Sequence, residues 1–116
     1  MVETSLNQIA LVIVPTYNEA ENIERLVSEI MAQPAPLHVV VVDDNSPDGT
    51  GALADALAAQ HERVSVIHRS GKLGLGTAYV AGFKRALERG YGYAITMDAD
   101  LSHNPRYLPG LLALRS

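Results

Sequence analysis

Cysteine is missing from this 116-residue chain, and its absence removes disulfides, zinc–thiolate sites and thiol nucleophiles together. A reducing compartment fits. No basic stripe is present either: the formal net charge is −4, with acidic and basic residues interleaved, which argues against a sequence-independent nucleic-acid binder. An anionic small ligand stays compatible, because a metal ion or a helix N-terminus supplies a positive field. Residues 1–10 lack the basic segment and apolar run of a signal peptide. The longest apolar stretches are strand-sized, short of the roughly 20 residues that a membrane helix requires, so the chain as given is expected to be soluble. Low-complexity runs and internal repeats are absent. With 47% apolar and 19% charged residues the composition is that of a folded chain. A single domain over residues 1–116 is expected, burying about two-thirds of its unfolded surface.

What is present alternates between two kinds of segment. Residues 9–14, 38–42, 64–67 and 94–97 are short runs rich in β-branched side chains. They are apolar throughout rather than at every second position, the pattern of strands covered on both faces. Between them the apolar period is helical. Ile23, Leu26, Val27, Ile30 and Met31 fall at i, i+3, i+4, i+7 and i+8, predicting an amphipathic helix over 20–32. Asn18, with Glu21 three residues on, predicts its capping box. Leu53, Leu57 and the surrounding alanines predict a second helix over 50–60. Leu75, Ala78, Tyr79, Gly82, Phe83, Ala86 and Leu87 predict a third, stopped by Gly90. Asn104 before Pro105 predicts a fourth helix start, with Leu108, Leu111 and Leu112 as its buried stripe. The order βαβαβαβα implies a parallel, twisted sheet with helices on both faces and right-handed crossovers.

In open sheets of this kind, ligands bind outside the carboxyl ends of the strands, and the polar residues concentrate there. The first strand runs into Pro15-Thr16-Tyr17-Asn18-Glu19 and the second into Asp43-Asp44-Asn45-Ser46-Pro47-Asp48-Gly49-Thr50. The fourth runs into Asp98-Ala99-Asp100-Leu101-Ser102-His103. Three acidic tips on one rim repel one another unless a cation or a donor-rich ligand sits among them. Asp98-Ala99-Asp100 is the most informative of the three. A turn leaving the strand brings its two carboxylates toward one point, a hard-oxygen set suited to Mg²⁺ or Mn²⁺ with substrate phosphates completing the shell. An isolated pair of this spacing is more often a solvated acidic turn; its place directly after a buried strand is what favours the metal.

Other motifs fail on inspection. Asp43-Asp44 resembles the acidic pair of a response-regulator receiver, but a receiver carries that pair on its first strand and an Asp on its third. Here the third strand ends in His68-Arg69. Gly71, Gly74 and Gly76 would need a glycine where Tyr79 stands to complete a dinucleotide fingerprint, and they do not follow the first strand. A close-packed helix entry is the expectation for them. Gly-Lys-[Ser/Thr] is absent, which excludes a P-loop. His38, His61, His68 and His103 show no metal-ligand spacing, and no nucleophilic Ser/His/Asp set can be assembled.

With those residues in place, the chain resembles the inverting family-two glycosyltransferases of GT-A fold, and among them the dolichol- and polyprenol-phosphate mannosyltransferases. VIVPTYNEAENI, VVVVDDNSPDGT, GKLGLGTAY and MDADLSHNP carry the resemblance. GLGTAY with DADLSHNP is the narrower pair and points to polyprenyl phosphate acceptors. The resemblance implies a Rossmann-like, three-layer α/β/α fold with a mostly parallel sheet. It implies mannose transfer from GDP-mannose to a polyprenyl (dolichyl) phosphate with inversion, giving a β-mannosyl phosphoryl polyprenol.

Carried over by position, Pro15, Tyr17 and Glu19 border the nucleotide, and Val42 and Asp44 contact base and ribose. Asp98, Ala99 and Asp100 hold the diphosphate and its Mg²⁺ or Mn²⁺, which makes Asp98 and Asp100 the catalytic pair. Ser102 stands where some relatives have a metal-facing Gln and is the weaker ligand. The whole protein is then expected at the cytoplasmic face of a membrane. The departure from the family is length: relatives continue into an acceptor-side segment, so the chain reads as a truncated N-terminal part, inactive alone and prone to self-association through an open sheet edge. Two rivals stay open. One is a family-two enzyme using a UDP-sugar and undecaprenyl phosphate; the other is a non-catalytic receiver-like or nucleotide/metal-binding module.

Overall fold

The computed structural model describes residues 6–71, 73–97 and 112–113. A short 3-10 turn (Leu6–Gln8) leads into β1 (Ala10–Thr16), α1 (Ile23–Met31), β2 (Leu37–Asp43), α2 (Thr50–Gln60) and β3 (Val64–His68). Then come α3 (Leu75–Arg89), β4 (Tyr93–Thr96) and β5 (Leu112–Ala113). The four strands expected from the β-branched runs are all present, each within two residues of its expected limits. The sheet order is β3-β2-β1-β4-β5. β1 to β4 are parallel, and β5 lies antiparallel to β4. The chain steps outward from β1 to β3, then crosses back through α3 to enter β4 on the other side of β1. That reversal opens a crevice at the carboxyl ends of β1 and β4.

Period-2 alternation builds two cores from one apolar run. Val12, Val14, Val39 and Val41 point to one face, where Ile23, Leu26, Val27 and Ile30 of α1 and Ala54 and Leu57 of α2 cover them. Leu11, Ile13, Val40 and Val42 point to the other, against Ala78 and Ala86 of α3. Continuous apolarity in the sequence is the direct result of cover on both faces. The expected three-layer, mostly parallel α/β/α fold is therefore the one observed. α3 approaches the sheet so closely that a methyl group on Gly82 would lie 2.5 Å from Ile13 Cγ2. It ends in a Schellman motif: Gly90 is left-handed at φ 83°, Gly90 N–H donates to Leu87 O, and Tyr91 N–H donates to Ala86 O.

Two expectations about helices are corrected. α1 begins at Ile23 with Asn22 as N-cap and no side-chain cap bond, so Asn18 and Glu21 form no capping box. Asn18 sits in the left-handed region at φ 57°, and the free N–H groups of residues 18–20 are taken by side chains of another loop, described below. The fourth helix, from Asn104 and Pro105 through Leu108 and Leu111, lies outside the described residues. Leu112, assigned to its stripe, is instead in β5, paired with Ala94. A short apolar run does not distinguish strand from helix by periodicity, and the backbone edge of β4 offered it a partner.

Two consequences follow for stability. Gly82→Ala gains about 1 kcal/mol of helix propensity but drives a methyl into the stiff, fully buried Ile13, an overpacking cost of about 1–3 kcal/mol. Urea unfolding is expected to show net destabilisation, largely relieved when Ile13→Ala is combined with it; a Gly82→Ala chain as stable as the parent would contradict the packing. The second concerns His38 of β2, whose Nδ1 lies 2.7 Å from Tyr91 Oη. Burial, then the nearby Arg63, lowers its pKa below the ordinary histidine value, while burial raises that of Tyr91. The folded state therefore resists protonation of His38. Its contribution to stability is complete above about pH 6.5 and is lost as the pH falls from there through the lowered folded value. Unfolding free energies at pH 7.5 and 5 should converge when His38→Phe is compared with the parent, and a constant gap between the two would contradict it.

Candidate functional site

The rim at the carboxyl ends of β1 and β2 is built by register. β1 and β2 pair from Ala10↔Leu37 to Thr16↔Asp43, which sets the residues after each strand side by side. Asp44 N–H continues the ladder, donating to Thr16 O at 3.1 Å. Asp43 and Asp44 then point to opposite faces, as neighbours leaving a strand must.

Asp43, 1% exposed, is a structural centre. Its Oδ1 accepts from Thr16 Oγ1 and from Ser46 Oγ, each at 2.6 Å, and its Oδ2 accepts from Ser46 N–H at 3.0 Å. Gly51 is close behind, where a Cβ would stand 3.0 Å from Asp43 Oδ2. The two loops are then fastened along their length. Asn18 N–H donates to Ser46 Oγ at 2.9 Å, Glu19 N–H to Thr50 Oγ1 at 2.9 Å and Ala20 N–H to Asp48 Oδ2 at 3.0 Å. Asp48 also accepts from the Thr50 hydroxyl and backbone N–H. The Thr50 hydroxyl, followed by the backbone N–H donors, holds the Asp48 carboxyl below the usual carboxylate range. The orphan donors ahead of α1 are thus capped by the β2–α2 loop rather than by their own sequence.

Asp44 faces the α3 side and is held by Arg69, at the end of β3. Arg69 Nε donates to Asp44 Oδ1 at 2.6 Å and Nη2 to Oδ2 at 2.8 Å, and Leu73 N–H adds a third bond to Oδ2 at 3.1 Å. The two side chains are 10% and 9% exposed. Sequence reasoning read Arg69 only as the residue standing where a receiver has Asp. Its place at the end of a parallel strand, on the same rim as Asp44, was the available signal. The expected close packing at Gly71, Gly74 and Gly76 is not seen among the described residues, where a Cβ on any of them meets nothing within 4 Å. Gly74 is needed for its backbone, at φ 102°, a region that side chains avoid.

Of the expected nucleotide-side residues, Pro15 and Glu19 are half-buried along this rim, and Tyr17 is 38% exposed on it. Val42 is wholly buried beneath α3 and contributes to the rim by setting the position of Asp43 and Asp44. Asp98, Ala99, Asp100 and Ser102 lie outside the described residues. Met97, the last described residue before them, donates its N–H to Ile13 O of β1 at 3.1 Å. Among the described residues, no group of three or more His, Asp and Glu is placed to hold a metal ion. The first two acidic loops do meet, but the repulsion expected between them is answered by the chain's own hydroxyls, N–H groups and Arg69.

A receiver has its first strand between its second and third; here β2 lies between β1 and β3, which sets that rival aside. The fold is the GT-A fold of nucleotide-sugar transferases. Glycosyl transferase family 2 matches residues 11–114, and the chain belongs to that family. It is 55% identical over 106 residues to polyprenol monophosphomannose synthase of Mycolicibacterium smegmatis, covering 90% of this chain and 40% of that protein. To undecaprenyl-phosphate mannosyltransferase of Micrococcus luteus it is 51% identical over 102 residues, covering 88% and 42%. Among solved structures, the mannosyltransferase PcManGT from Pyrobaculum calidifontis, in complex with GDP-Man and Mn²⁺, superposes with a TM-score of 0.65 at 31% identity. That match covers 80% of this chain and 27% of PcManGT. The chain thus spans well under half the length of each of these proteins.

Removing the Asp43 carboxylate tests the clamp. Asp43→Ala leaves the buried Thr16 hydroxyl and the Ser46 N–H without their acceptor and is expected to lower the unfolding free energy by about 3 kcal/mol. Thr16→Val, which removes one donor and keeps the shape, should cost about 1 kcal/mol. Equal and negligible losses in denaturant titrations would show that the clamp contributes nothing.

Proposed function

We propose that this chain is the nucleotide-sugar-binding part of an enzyme that moves mannose from GDP-mannose onto a polyprenyl phosphate with inversion at the anomeric carbon. The observation that carries the reading is the fastened β1–β2 rim beside the β1–β4 crevice, bearing Glu19 and Asp44, with Asp98-Ala99-Asp100 next in the chain after Met97. The similarity to two proteins named as polyprenyl-phosphate mannosyl enzymes supports the acceptor. PcManGT, solved with GDP-Man and Mn²⁺, supports the donor and the metal.

In this reading Pro15, Tyr17, Glu19 and Asp44 border the nucleoside, with buried Val42 supporting Asp44 from below, and Asp98, Ala99 and Asp100 border the diphosphate. A divalent metal, Mg²⁺ or Mn²⁺, fits the hard carboxylate oxygens of Asp98 and Asp100, with the Ser102 hydroxyl as a weaker ligand. When bound, it supplies charge neutralisation to the departing nucleoside diphosphate. The acceptor phosphate is already an anion, so no residue here need act as a strong general base. What the rim contributes is positioning: its loops are cross-bonded before any ligand arrives, which lowers the ordering cost of binding. Among the described residues, no helix is long and apolar enough to cross a membrane. The whole protein works at the cytoplasmic face of one, where its lipid acceptor resides.

Calorimetry with Mn²⁺ tests the reading. GDP and GDP-mannose are expected to bind and UDP-sugars to bind more weakly, and Asp100→Ala is expected to abolish metal-dependent GDP binding. Unchanged binding by Asp100→Ala would remove that residue from the metal site, and a preference for UDP-sugars would move the donor to the uridine series.

A further inference from the structure

Arg69 was not expected at the site, yet it is the most heavily used cation described in the fold. A guanidinium has five N–H donors. Four of them are occupied within the chain: Nε and one Nη2 hydrogen on Asp44, the second Nη2 hydrogen on Gly74 O at 3.0 Å, and one Nη1 hydrogen on Thr77 Oγ1 at 2.8 Å. Its backbone N–H is also taken, by Asp43 O at 2.8 Å. At 10% side-chain exposure, it has little left to offer a ligand. The same bonds tie the entry of α3, through Gly74 and Thr77, to the paired ends of β2 and β3, through Asp44 and Arg69 itself. Leu73 N–H on Asp44 closes the loop, and the Thr77 hydroxyl bonds back to Leu73 O and Gly74 O.

We propose that Arg69 is a positioning residue for nucleoside recognition: it acts through Asp44, fixing that carboxylate and the start of α3 as one unit, and does not itself touch the ligand. The inference rests on the reading above that Asp44 borders the nucleoside. A carboxylate on a short side chain has several rotamers, and one that must meet a single donor loses affinity whenever it leaves the right one. The planar fork of Arg fixes both oxygens at once, which a lysine ammonium does not do. The unit also links the nucleoside side of the rim to Gly74–Tyr79, the GLGTAY stretch whose resemblance points to polyprenyl phosphate acceptors, giving that stretch a physical connection to the base side.

The test uses the full chain with Mn²⁺ and two probes, GDP and inorganic pyrophosphate, titrated into the parent, Asp44→Asn, Arg69→Lys, Arg69→Met and the double variant Asp44→Asn/Arg69→Met. Arg69→Lys keeps the charge, and the double variant removes both charges together, so neither leaves an orphaned ion. Arg69→Lys is expected to weaken GDP by at least about tenfold while pyrophosphate stays within about twofold. The double variant should bind GDP no more weakly than Asp44→Asn alone. Arg69 variants that bind GDP like the parent, while Asp44→Asn weakens it, overturn the inference and leave the function standing. Equal loss for both probes overturns it in favour of a purely structural role. Additive loss in the double variant overturns it in favour of direct ligand contact. Asp44→Asn binding GDP unchanged, or a parent chain binding neither probe, overturns the nucleotide reading and this inference with it.

Discussion

The seven-residue parallel pairing of β1 with β2 is the constraint from which the rest of the rim derives. Because the register runs without a bulge from Ala10↔Leu37 to Thr16↔Asp43, the two strands end level and their following loops are held at bonding distance. Thr16 and Asp43 lie on the α1–α2 face, with Val12, Val14, Val39 and Val41 below them. The Thr16–Asp43 bond is therefore the last layer of a core whose lower layers are apolar. A slip of one residue would turn Asp43 to the other face and leave the Thr16 hydroxyl, Ser46 and the first turn before α1 without partners. Hydrophobic alternation specifies the register, and the register specifies the polar clamp.

How much of this was legible in the amino acids depends on whether the interaction is local. Strand positions were readable because burial on both faces leaves an unbroken β-branched signature, as at residues 39–42. α2 was readable because alanines and leucines favour helix without outside help. The start of α1 was not, because the N–H groups of residues 18–20 just ahead of it are bonded by Ser46, Asp48 and Thr50, 28 to 31 residues away, and a capping box assumes a partner three residues off. β5 was hidden for a related reason: its strand character comes from the edge of β4, not from Leu112 and Ala113 themselves.

At the site the same division holds. Asp44 and Glu19 could be singled out as acidic residues at strand ends, and the family pattern gave them roles. Arg69 could not be paired with Asp44 until the sheet order put β3 beside β2, since 25 residues separate them. Gly74 was read as a packing glycine, whereas its value lies in a backbone angle that opens the carbonyl to Arg69. Side-chain type showed where chemistry concentrates; only topology showed which charge answers which.

That last distinction changes how the acidity of the rim should be understood. Carboxylates gathered at the ends of parallel strands suggest a shared need for a cation. Yet the three from the β2–α2 loop are each answered by the protein: Asp43 by two hydroxyls and an N–H, Asp48 by Thr50 and Ala20, Asp44 by Arg69 and Leu73. Charge-assisted bonds of this kind are already strong, so a metal ion would have to displace donors in order to bind there. In the proposed enzyme the divalent ion is therefore assigned to Asp98 and Asp100 rather than to the whole rim. There the β2–α2 carboxylates shape the nucleoside wall and leave the metal to the acidic pair that follows Met97 in the sequence.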